Sequence, residues 1–363
     1  MEKPDPAAVP VVSAPVSELV WHDVRQWGVE GRAWEDQERL RYFDRLPVAA
    51  QKETSTLLDF YGKFSVWDLS RCSAGMMARF RSDATAYHVR YRLTNVELAL
   101  PHMPATGVSG VDLYARDAAG TWRYVQGNKP RAQDFEGEII HGLAPGLREY
   151  ALYLPLYNGI EFLEIGVPKG AAFLGLTPRP KPVVFYGTSI TQGGVASRPG
   201  ICHTAILGRL LDRPVLNLGF SGTGRMDPVI GRFLAQVEAA VFVIECCGNM
   251  QPAQIRERCV PLVRQLRAAR PDTPIVLVED RVFPNAWIET AKADYNRENH
   301  AALREAFATL QKERVPGLHY IPGTALYGTD GEGSTDNAHA NDLGFMRMAR
   351  EFEPVIRAAL AGN

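Results

Sequence analysis

Residues 181–194 read Lys-Pro-Val-Val-Phe-Tyr-Gly-Thr-Ser-Ile-Thr-Gln-Gly-Gly, and the rest of the chain is organised around this stretch. The four apolar residues 183–186 form the short, unbroken run that is typical of a parallel strand buried on both faces. A glycine then ends the strand, and Ser189 follows two residues later. The pattern therefore predicts a hydroxyl at the carboxyl end of a buried strand, where open α/β sheets bind their ligands. The same pattern also fits a serine that only caps the following helix.

The composition indicates a globular protein and excludes several kinds of partner. The 363 residues are enough for two domains, and 46% of them are hydrophobic and 22% charged. Forty basic and forty-one acidic residues leave a formal net charge of -1, so we expect no nucleic-acid partner and no attraction to an anionic membrane. The sequence also contains no apolar run near the roughly 20 residues that a membrane-spanning helix needs.

Residues 1–17 contain four prolines among small side chains and lack the basic start and apolar centre of a secretory signal. We therefore expect a disordered tail there and a cytoplasmic location. The five cysteines are scattered, which argues against a framework of disulfide bonds. The composition leaves self-association as a homo-oligomer open.

Residues 18–169 have a hydrophobic pattern with a period of two. Tyr87, Val89 and Tyr91 alternate with polar or charged residues, as expected for a strand with one buried face. Three later runs repeat this alternation, and glycines and prolines separate them at turn positions. The pattern predicts a β-sandwich of the jelly-roll kind. Only the stretch 34–43 suggests a helix in this part of the chain.

A proline-rich stretch at 170–182 predicts a linker, and residues 183–363 beyond it have the pattern of an α/β domain. Strand-like and helix-like runs alternate there, which predicts βαβ units and one parallel sheet covered on both sides. The predicted strands are 183–186, 215–218, 241–246, 275–278 and 319–321. The predicted helices are 201–211, 228–239, 254–269, 291–314 and 343–360.

Three later segments supply candidate partners for Ser189. Gly222 lies in a glycine-rich turn after the second strand of the α/β domain and could present a backbone N–H group there. Asn249 follows the third strand and could present its side-chain amide. Near the C-terminus, Asp336 stands three residues before His339, so its carboxylate could accept the imidazole Nδ1–H and leave Nε2 facing the serine. Taken singly, each of these residues is also explained as part of a turn.

The four blocks, in this order, resemble those of the SGNH (GDSL-type) hydrolase superfamily over about half of the chain, residues 181–360. The resemblance implies an α/β fold with a flavodoxin-like three-layer domain, here preceded by the all-β domain. It also implies that Ser189 is the nucleophile, that His339 is the general base and then the acid, and that Asp336 orients His339. The implied oxyanion hole consists of the N–H groups of Ser189 and Gly222 and the amide of Asn249.

Two residues depart from the family pattern. Thr188 replaces the Asp of Gly-Asp-Ser, and Met250 follows Asn249 where many members have Asp. Neither change removes a group that does chemistry, so they indicate a divergent subfamily. An all-β domain ahead of the hydrolase domain resembles two-domain bacterial members that include carbohydrate O-acyl esterases. We therefore expect a serine esterase that hydrolyses small acyl esters, acetyl esters above all, on a small molecule or oligosaccharide.

Other functions remain open at this point. Within enzymes, the alternatives are lipase-like or thioesterase activity, or transfer of the acyl group to an alcohol. From another class, the chain could be a carbohydrate-binding protein whose hydrolase domain is idle, although four intact blocks argue against idleness.

Two further residues are candidates for the substrate pocket. Trp287 follows the fourth strand of the α/β domain, on the side where ligands bind, and Arg198 follows the nucleophile turn. The seven other histidines show no metal-ligand spacing, and the glycine-rich turn has neither the phosphate-loop ending nor the dinucleotide fingerprint. We therefore expect neither a metal ion nor a cofactor.

Overall fold

The computed structural model describes residues 18–362, so the tail predicted at 1–17 lies outside the described residues. The strands are β1 (Leu19–Asp23), β2 (Met77–Ser82), β3 (Tyr87–Leu93), β4 (Asp112–Arg116), β5 (Trp122–Gly127), β6 (Asp134–Ile140), β7 (Arg148–Tyr153), β8 (Ile160–Pro168), β9 (Phe173–Gly175), β10 (Val183–Gly187), β11 (Val215–Gly219), β12 (Val241–Glu245), β13 (Ile275–Val278) and β14 (Leu318–Ile321). The α-helices are α1 (Gln51–Thr54), α2 (Val66–Ser70), α3 (Ala105–Val108), α4 (Ser189–Gln192), α5 (His203–Leu210), α6 (Pro228–Leu234), α7 (Pro252–Ala269), α8 (Thr290–Lys312) and α9 (Asp342–Ala361). Short 3₁₀ segments lie at Val24–Gln26, Val48–Ala50, Pro199–Ile201 and Cys247–Asn249. Across residues 18–362, no helix combines the length and the apolar character needed to cross a membrane.

Strands β1 to β9 form a sandwich of two antiparallel sheets. One sheet has the order β1-β8-β3-β6, and the other has the order β5-β4-β7-β2-β9. Along β3, Tyr87, Val89 and Tyr91 are buried while the residues between them are partly exposed. Their side chains share a core with Phe80 of β2 and Tyr150 of β7 in the opposite sheet. The predicted alternation and the predicted sandwich are confirmed.

The second half of the chain forms one parallel sheet of order β11-β10-β12-β13-β14, which is flavodoxin-like. In β10, Val183 and Phe185 face α5 and α9, whereas Val184 and Tyr186 face α6, α7 and α8. Because helices cover both faces, every residue of this strand is apolar, which explains the unbroken run in the sequence. The five predicted strands are correct to within one residue and four of the helices to within two, whereas α6 ends at Leu234, before the predicted 239.

The helix predicted at 34–43 is wrong. Trp34 has a left-handed φ of 55°, which a right-handed helix cannot include. Its indole N–H donates a hydrogen bond of 3.2 Å to the carbonyl oxygen of Phe233 in α6, and the two rings meet edge to face. The stretch that suggested a helix is therefore an irregular segment, and its Trp34 packs onto the α/β domain.

The segment 34–69, which we call the N-terminal strap, lies within the predicted sandwich domain 18–169. Phe43 of the strap joins the sandwich core, but other buried residues of the strap pack against the α/β domain. Leu46 and Trp67 of the strap are buried in the core beneath α6, α7 and α8, not between the two sandwich sheets. The predicted linker 170–182 also contains β9, which pairs with β2 at the edge of the sandwich. The strap therefore contacts both cores, and β9 adds a strand to the sandwich from within residues 170–182.

The guanidinium group of Arg45 fastens the strap to β11. This side chain is fully buried and donates to the carbonyl oxygens of Leu69 and Cys72 at 2.6 and 3.0 Å. It also donates to the carbonyl oxygens of Asn217 and Gly219 at 3.1 and 2.8 Å. Burial lowers the pKa of Arg45 to about 10, which leaves the group charged at neutral pH. One buried cation therefore satisfies four backbone acceptors from two parts of the chain.

We expect Arg45→Met to lower the free energy of unfolding by about 3 kcal/mol or more, because four buried carbonyl oxygens would lose their donor. Urea denaturation followed by circular dichroism measures the change. Lys52→Met is the matched control, since Lys52 is exposed on α1, and it should stay within about 0.5 kcal/mol of the wild type. Equal stability of the two variants would contradict the role given to Arg45.

Candidate active site

Ser189 is the first residue of α4, at the turn that follows β10. Thr188 caps this helix, because its Oγ1 accepts a hydrogen bond of 3.2 Å from the N–H group of Ile190. The alternative in which Ser189 is only a helix cap is therefore excluded, and the threonine that departs from the family pattern has a structural role. The turn requires glycine at position 187, since a Cβ atom there would lie 2.0 Å from Thr191 Oγ1.

His339 reaches Ser189 from the loop that precedes α9. Ser189 Oγ lies 2.8 Å from His339 Nε2, and His339 Nδ1 lies 2.7 Å from Asp336 Oδ2. Asp336 Oδ1 also accepts the backbone N–H groups of Ala338 and His339, at 3.0 and 2.7 Å. When Nδ1 donates to the carboxylate, Nε2 is left to accept the serine hydroxyl. The structure thus brings together three side chains that the sequence separates by as many as 150 positions.

Neighbouring elements hold the histidine loop in place. Arg281 Nε donates to the carbonyl oxygen of Ala338 over 2.9 Å, and its guanidinium group pairs with Asp280 in a buried environment. Asn337 adopts a left-handed φ of 68°, and its side-chain oxygen accepts the N–H group of Asn285 over 3.0 Å. The loop is therefore supported on two sides, beside the imidazole and beside the carboxylate.

The electrostatics of the loop keep Asp336 ionised. Partial burial raises the pKa of this carboxyl, but hydrogen bonds from the side chain and backbone of His339, together with its charge, lower it by more. The net pKa lies well below its ordinary value, so the carboxylate keeps its charge wherever an imidazole titrates. Because the folded-state pKa is depressed, the stabilising contribution is present above the carboxyl's unfolded pKa and is lost as the pH falls.

Gly222 and Asn249 line the same cavity as Ser189 and His339, and this cavity has a volume of about 230 Å³. Gly222 follows β11 with a left-handed φ of 66°, a conformation that favours glycine. Asn249 ends the 3₁₀ turn after β12, and its Nδ2 lies 3.4 Å from two carbonyl oxygens of the loop after β11. These contacts are long for hydrogen bonds, so the amide is only weakly held by the protein.

Arg198 does not line this cavity, contrary to the prediction. Its Nη1 lies 2.7 Å from Asp112 Oδ2 and 2.5 Å from the hydroxyl oxygen of Tyr114, both in β4. Asp112 is completely buried and also accepts the N–H group of Gly200. Because a buried carboxylate needs a partner cation, Arg198 joins the sandwich to the α/β domain and is drawn away from the pocket.

Trp287 is not among the residues that line the cavity. Its side chain is 83% exposed, in the loop between β13 and α8. The backbone N–H of Asn285 in the same loop contacts Asn337 of the histidine loop. A role for Trp287 in substrate binding stays a prediction.

Sequence reasoning missed several residues that line the cavity. Asp59, Phe60 and Tyr61 come from the N-terminal strap, and Arg281 follows β13. The strap lay within a predicted sandwich domain, so nothing along the chain connected its Phe-Tyr-Gly turn with Ser189. The signal that could have found Arg281 is its place in the loop that follows the parallel strand β13, because ligand-facing residues gather in such loops.

His102 is the other group that sequence spacing did not reveal. Its ring centroid lies 5.7 Å from that of His339. Ligand atoms of His102, Asp336 and His339 all lie within 4.8 Å of one another, so this group could hold a divalent metal ion. His102 belongs to the loop between β3 and β4 of the sandwich. The short distance between His102 and His339 therefore depends on how the sandwich packs against the α/β domain.

Two family models match the chain. Residues 180–357 match the GDSL-like lipase/acylhydrolase family, and residues 19–173 match the N-terminal domain of SGNH-hydrolase-type esterases. The crystal structure of a GDSL-like lipase from Bacteroides ovatus ATCC 8483 is 30% identical to this chain, with a TM-score of 0.86 over 95% of this chain and 98% of that one. The chain belongs to the GDSL-like lipase/acylhydrolase family. It is therefore an esterase of the SGNH hydrolase superfamily.

Two more distant esterase structures share the fold. A family two carbohydrate esterase from Clostridium thermocellum, in complex with cellohexaose, is 14% identical with a TM-score of 0.59 and covers 80% of this chain and 94% of its own. An acetyl xylan esterase from the rumen bacterium Butyrivibrio proteoclasticus is 9% identical with a TM-score of 0.58 and covers 95% of this chain and 100% of its own. At these identities the likeness shows the fold alone. No match was found among the curated proteins.

Proposed function

We propose that this esterase hydrolyses small acyl esters, acetyl esters above all, carried on a carbohydrate. The observation that carries the proposal is the hydrogen-bond chain from Ser189 Oγ to His339 Nε2 at 2.8 Å and from His339 Nδ1 to Asp336 at 2.7 Å. Such a chain activates a hydroxyl that would otherwise be a weak nucleophile at neutral pH.

The reaction proceeds in two acyl-transfer steps. Ser189 Oγ attacks the ester carbonyl carbon while His339 Nε2 takes the hydroxyl proton, and Asp336 stabilises the imidazolium that forms. The tetrahedral intermediate collapses when His339 gives the proton to the leaving alcohol, and the acyl group stays on Ser189. Water then attacks the acyl-serine with the same histidine as base, which releases the acid and restores the hydroxyl.

Three N–H donors stabilise the negative oxygen of the intermediate. They are the backbone N–H groups of Ser189 and Gly222 and the side-chain Nδ2 of Asn249. In support, these residues line one cavity. The amide of Asn249 lies 3.4 Å from its present acceptors, so little free energy is lost when its N–H group turns to a stronger, charged acceptor.

Two observations favour a small acyl group on a sugar. The cavity of about 230 Å³ is smaller than the pockets of roughly 300 to 1,000 Å³ that enclose drug-sized ligands. The chain is also similar in fold to a family two carbohydrate esterase and to an acetyl xylan esterase. Hydrolysis of an ester substrate needs no nucleic-acid or membrane partner, and none is proposed.

The function is tested with acetylated xylo-oligosaccharides and with p-nitrophenyl esters of increasing chain length, using acid release as the readout. We expect the highest kcat/KM for acetyl esters and complete loss of release in Ser189→Ala. A preference for long chains would instead indicate a lipase, faster cleavage of thioesters a thioesterase, and ester formation with an added alcohol an acyltransferase. Binding of the sugar without release of acid would indicate an idle hydrolase domain.

We expect Asn249→Ala to lower kcat by about 100- to 1,000-fold, because one of three donors to the oxyanion is removed. Steady-state kinetics with p-nitrophenyl acetate measures the effect, and circular dichroism checks that the variant is folded. Asn95→Ala is a matched control, since this exposed amide lies outside the cavity, and it should keep the wild-type rate. A rate near that of the wild type in Asn249→Ala would remove this residue from the oxyanion hole.

The pH dependence follows from the ionisation of the histidine loop. Asp336 keeps its charge between pH 5 and pH 8 because its pKa is strongly lowered, so ionisation of this carboxyl does not set the pH profile there. We expect kcat/KM to rise from pH 5 towards pH 8, and Asp336→Asn to lower kcat by about 10,000-fold. Asp330→Asn, which alters an exposed carboxylate in the same loop region, should keep the wild-type profile. A flat profile between pH 5 and pH 8, with chemistry rate-limiting, would argue against His339 as the base.

A further inference from the structure

The turn at residues 58–65 of the N-terminal strap, which we call the aromatic hairpin, forms one wall of the active-site cavity. Leu58 pairs with Ser65, and the N–H group of Asp59 donates to the carbonyl oxygen of Phe64 over 2.8 Å. Phe60 and Tyr61 stand at its tip and line the cavity together with Ser189. They belong to none of the four sequence blocks, and the acyl-transfer steps do not use them.

Hydrogen bonds within the aromatic hairpin and close packing on a neighbouring loop stabilise its backbone conformation. Asp59 Oδ1 accepts the N–H groups of Tyr61 and Lys63 at 3.0 and 2.8 Å, which closes the turn from inside. A Cβ atom on Gly222 would lie 3.1 Å from Asp59 Cβ, so the hairpin rests closely on the loop that carries this glycine. The backbone around the two rings is therefore fixed relative to the reacting serine.

Arg225 clamps the hairpin to the same loop. Its guanidinium group donates to the carbonyl oxygen of Leu58 at 3.2 Å and to that of Gly222 at 2.5 Å. It also lies 4.4 Å from the centroid of the Phe60 ring, in cation–π contact. One face of this ring is thus held by the protein, beside the cavity.

Both rings are largely exposed although they line the cavity. Tyr61 is 91% exposed and Phe60 is 63% exposed. Adjacent exposed apolar groups at the rim of a cavity mark a binding surface more often than a single exposed residue elsewhere does. Aromatic side chains lose little conformational freedom on binding and offer a flat, electron-rich face.

We propose that Phe60 and Tyr61 form a subsite that stacks against the sugar ring of the ester substrate. The inference rests on the proposed function, since a cavity of about 230 Å³ accommodates a small acyl group and leaves the sugar at the mouth. The C–H bonds on one face of a pyranose carry partial positive charge and match the negative face of an aromatic ring. The strap thereby selects the alcohol part of the substrate, whereas the α/β domain supplies the chemistry.

The test compares kcat/KM for an acetylated xylo-oligosaccharide with kcat/KM for ethyl acetate, which has the acyl group but no ring. We expect the ratio of the two values to fall about 10- to 100-fold in Tyr61→Ala and in the double variant Phe60→Ala/Tyr61→Ala, mainly through KM for the oligosaccharide. Tyr61→Phe keeps the ring and should retain most of the ratio. Phe64→Ala is the matched control, because Phe64 lies on the same hairpin outside the cavity lining and is 45% exposed.

An unchanged ratio in the double variant, with the oligosaccharide still cleaved, overturns the sugar subsite and leaves the proposed function intact. A loss that instead grows with acyl chain length also overturns it, because the rings would then contact the acyl group. Failure of the wild type to release acetate from any acetylated oligosaccharide, while it hydrolyses ethyl acetate through Ser189, refutes the carbohydrate part of the proposed function itself.

Discussion

The parallel register of β10 with its two neighbours is the constraint on which the site depends. Gly187 pairs with Gly219 of β11 and with Glu245 of β12, so the three strands end at one level. Because parallel strands release the chain at the same edge of the sheet, the loops after them share one crevice. Each loop places cavity-lining residues within four positions of its strand, among them Ser189, Gly222 and Asn249. Hydrogen bonding between strands therefore brings these groups together before any side chain is considered.

Buried polar contacts beneath Ser189 link the elements of that arrangement to one another. The carboxylate of Glu245 accepts the hydroxyl of Thr191 in α4 at 2.7 Å and lies 3.1 Å from His203 Nε2 in α5. The His203 ring stacks on Phe345 of α9, the helix that follows the histidine loop. The elements that carry the serine and the histidine are thus linked through Glu245 and His203 at the end of the central strand.

The sandwich and the strap pack directly against the α/β domain that carries Ser189 and His339. Arg45 and Arg198 each place a buried or half-buried cation across the junction, and Leu46 and Trp67 complete the core on one face of the parallel sheet. A chain that began at residue 170 would leave that core face open to water and remove the hairpin beside Ser189. The strap therefore contributes to both the stability and the shape of the site.

The sequence by itself determined the layer architecture, the five parallel strands and the four blocks around Ser189. These features are encoded locally, since a strand covered on both faces must be apolar throughout, as in β10, and a tight turn at its end needs Gly187. Only the tertiary structure decided the path of the strap, the pairing of Arg198 with Asp112 and the approach of His102 to His339. Those contacts join residues that have no periodic relation along the chain. The strap and Arg198 take their positions because core faces and buried charges must find partners in space.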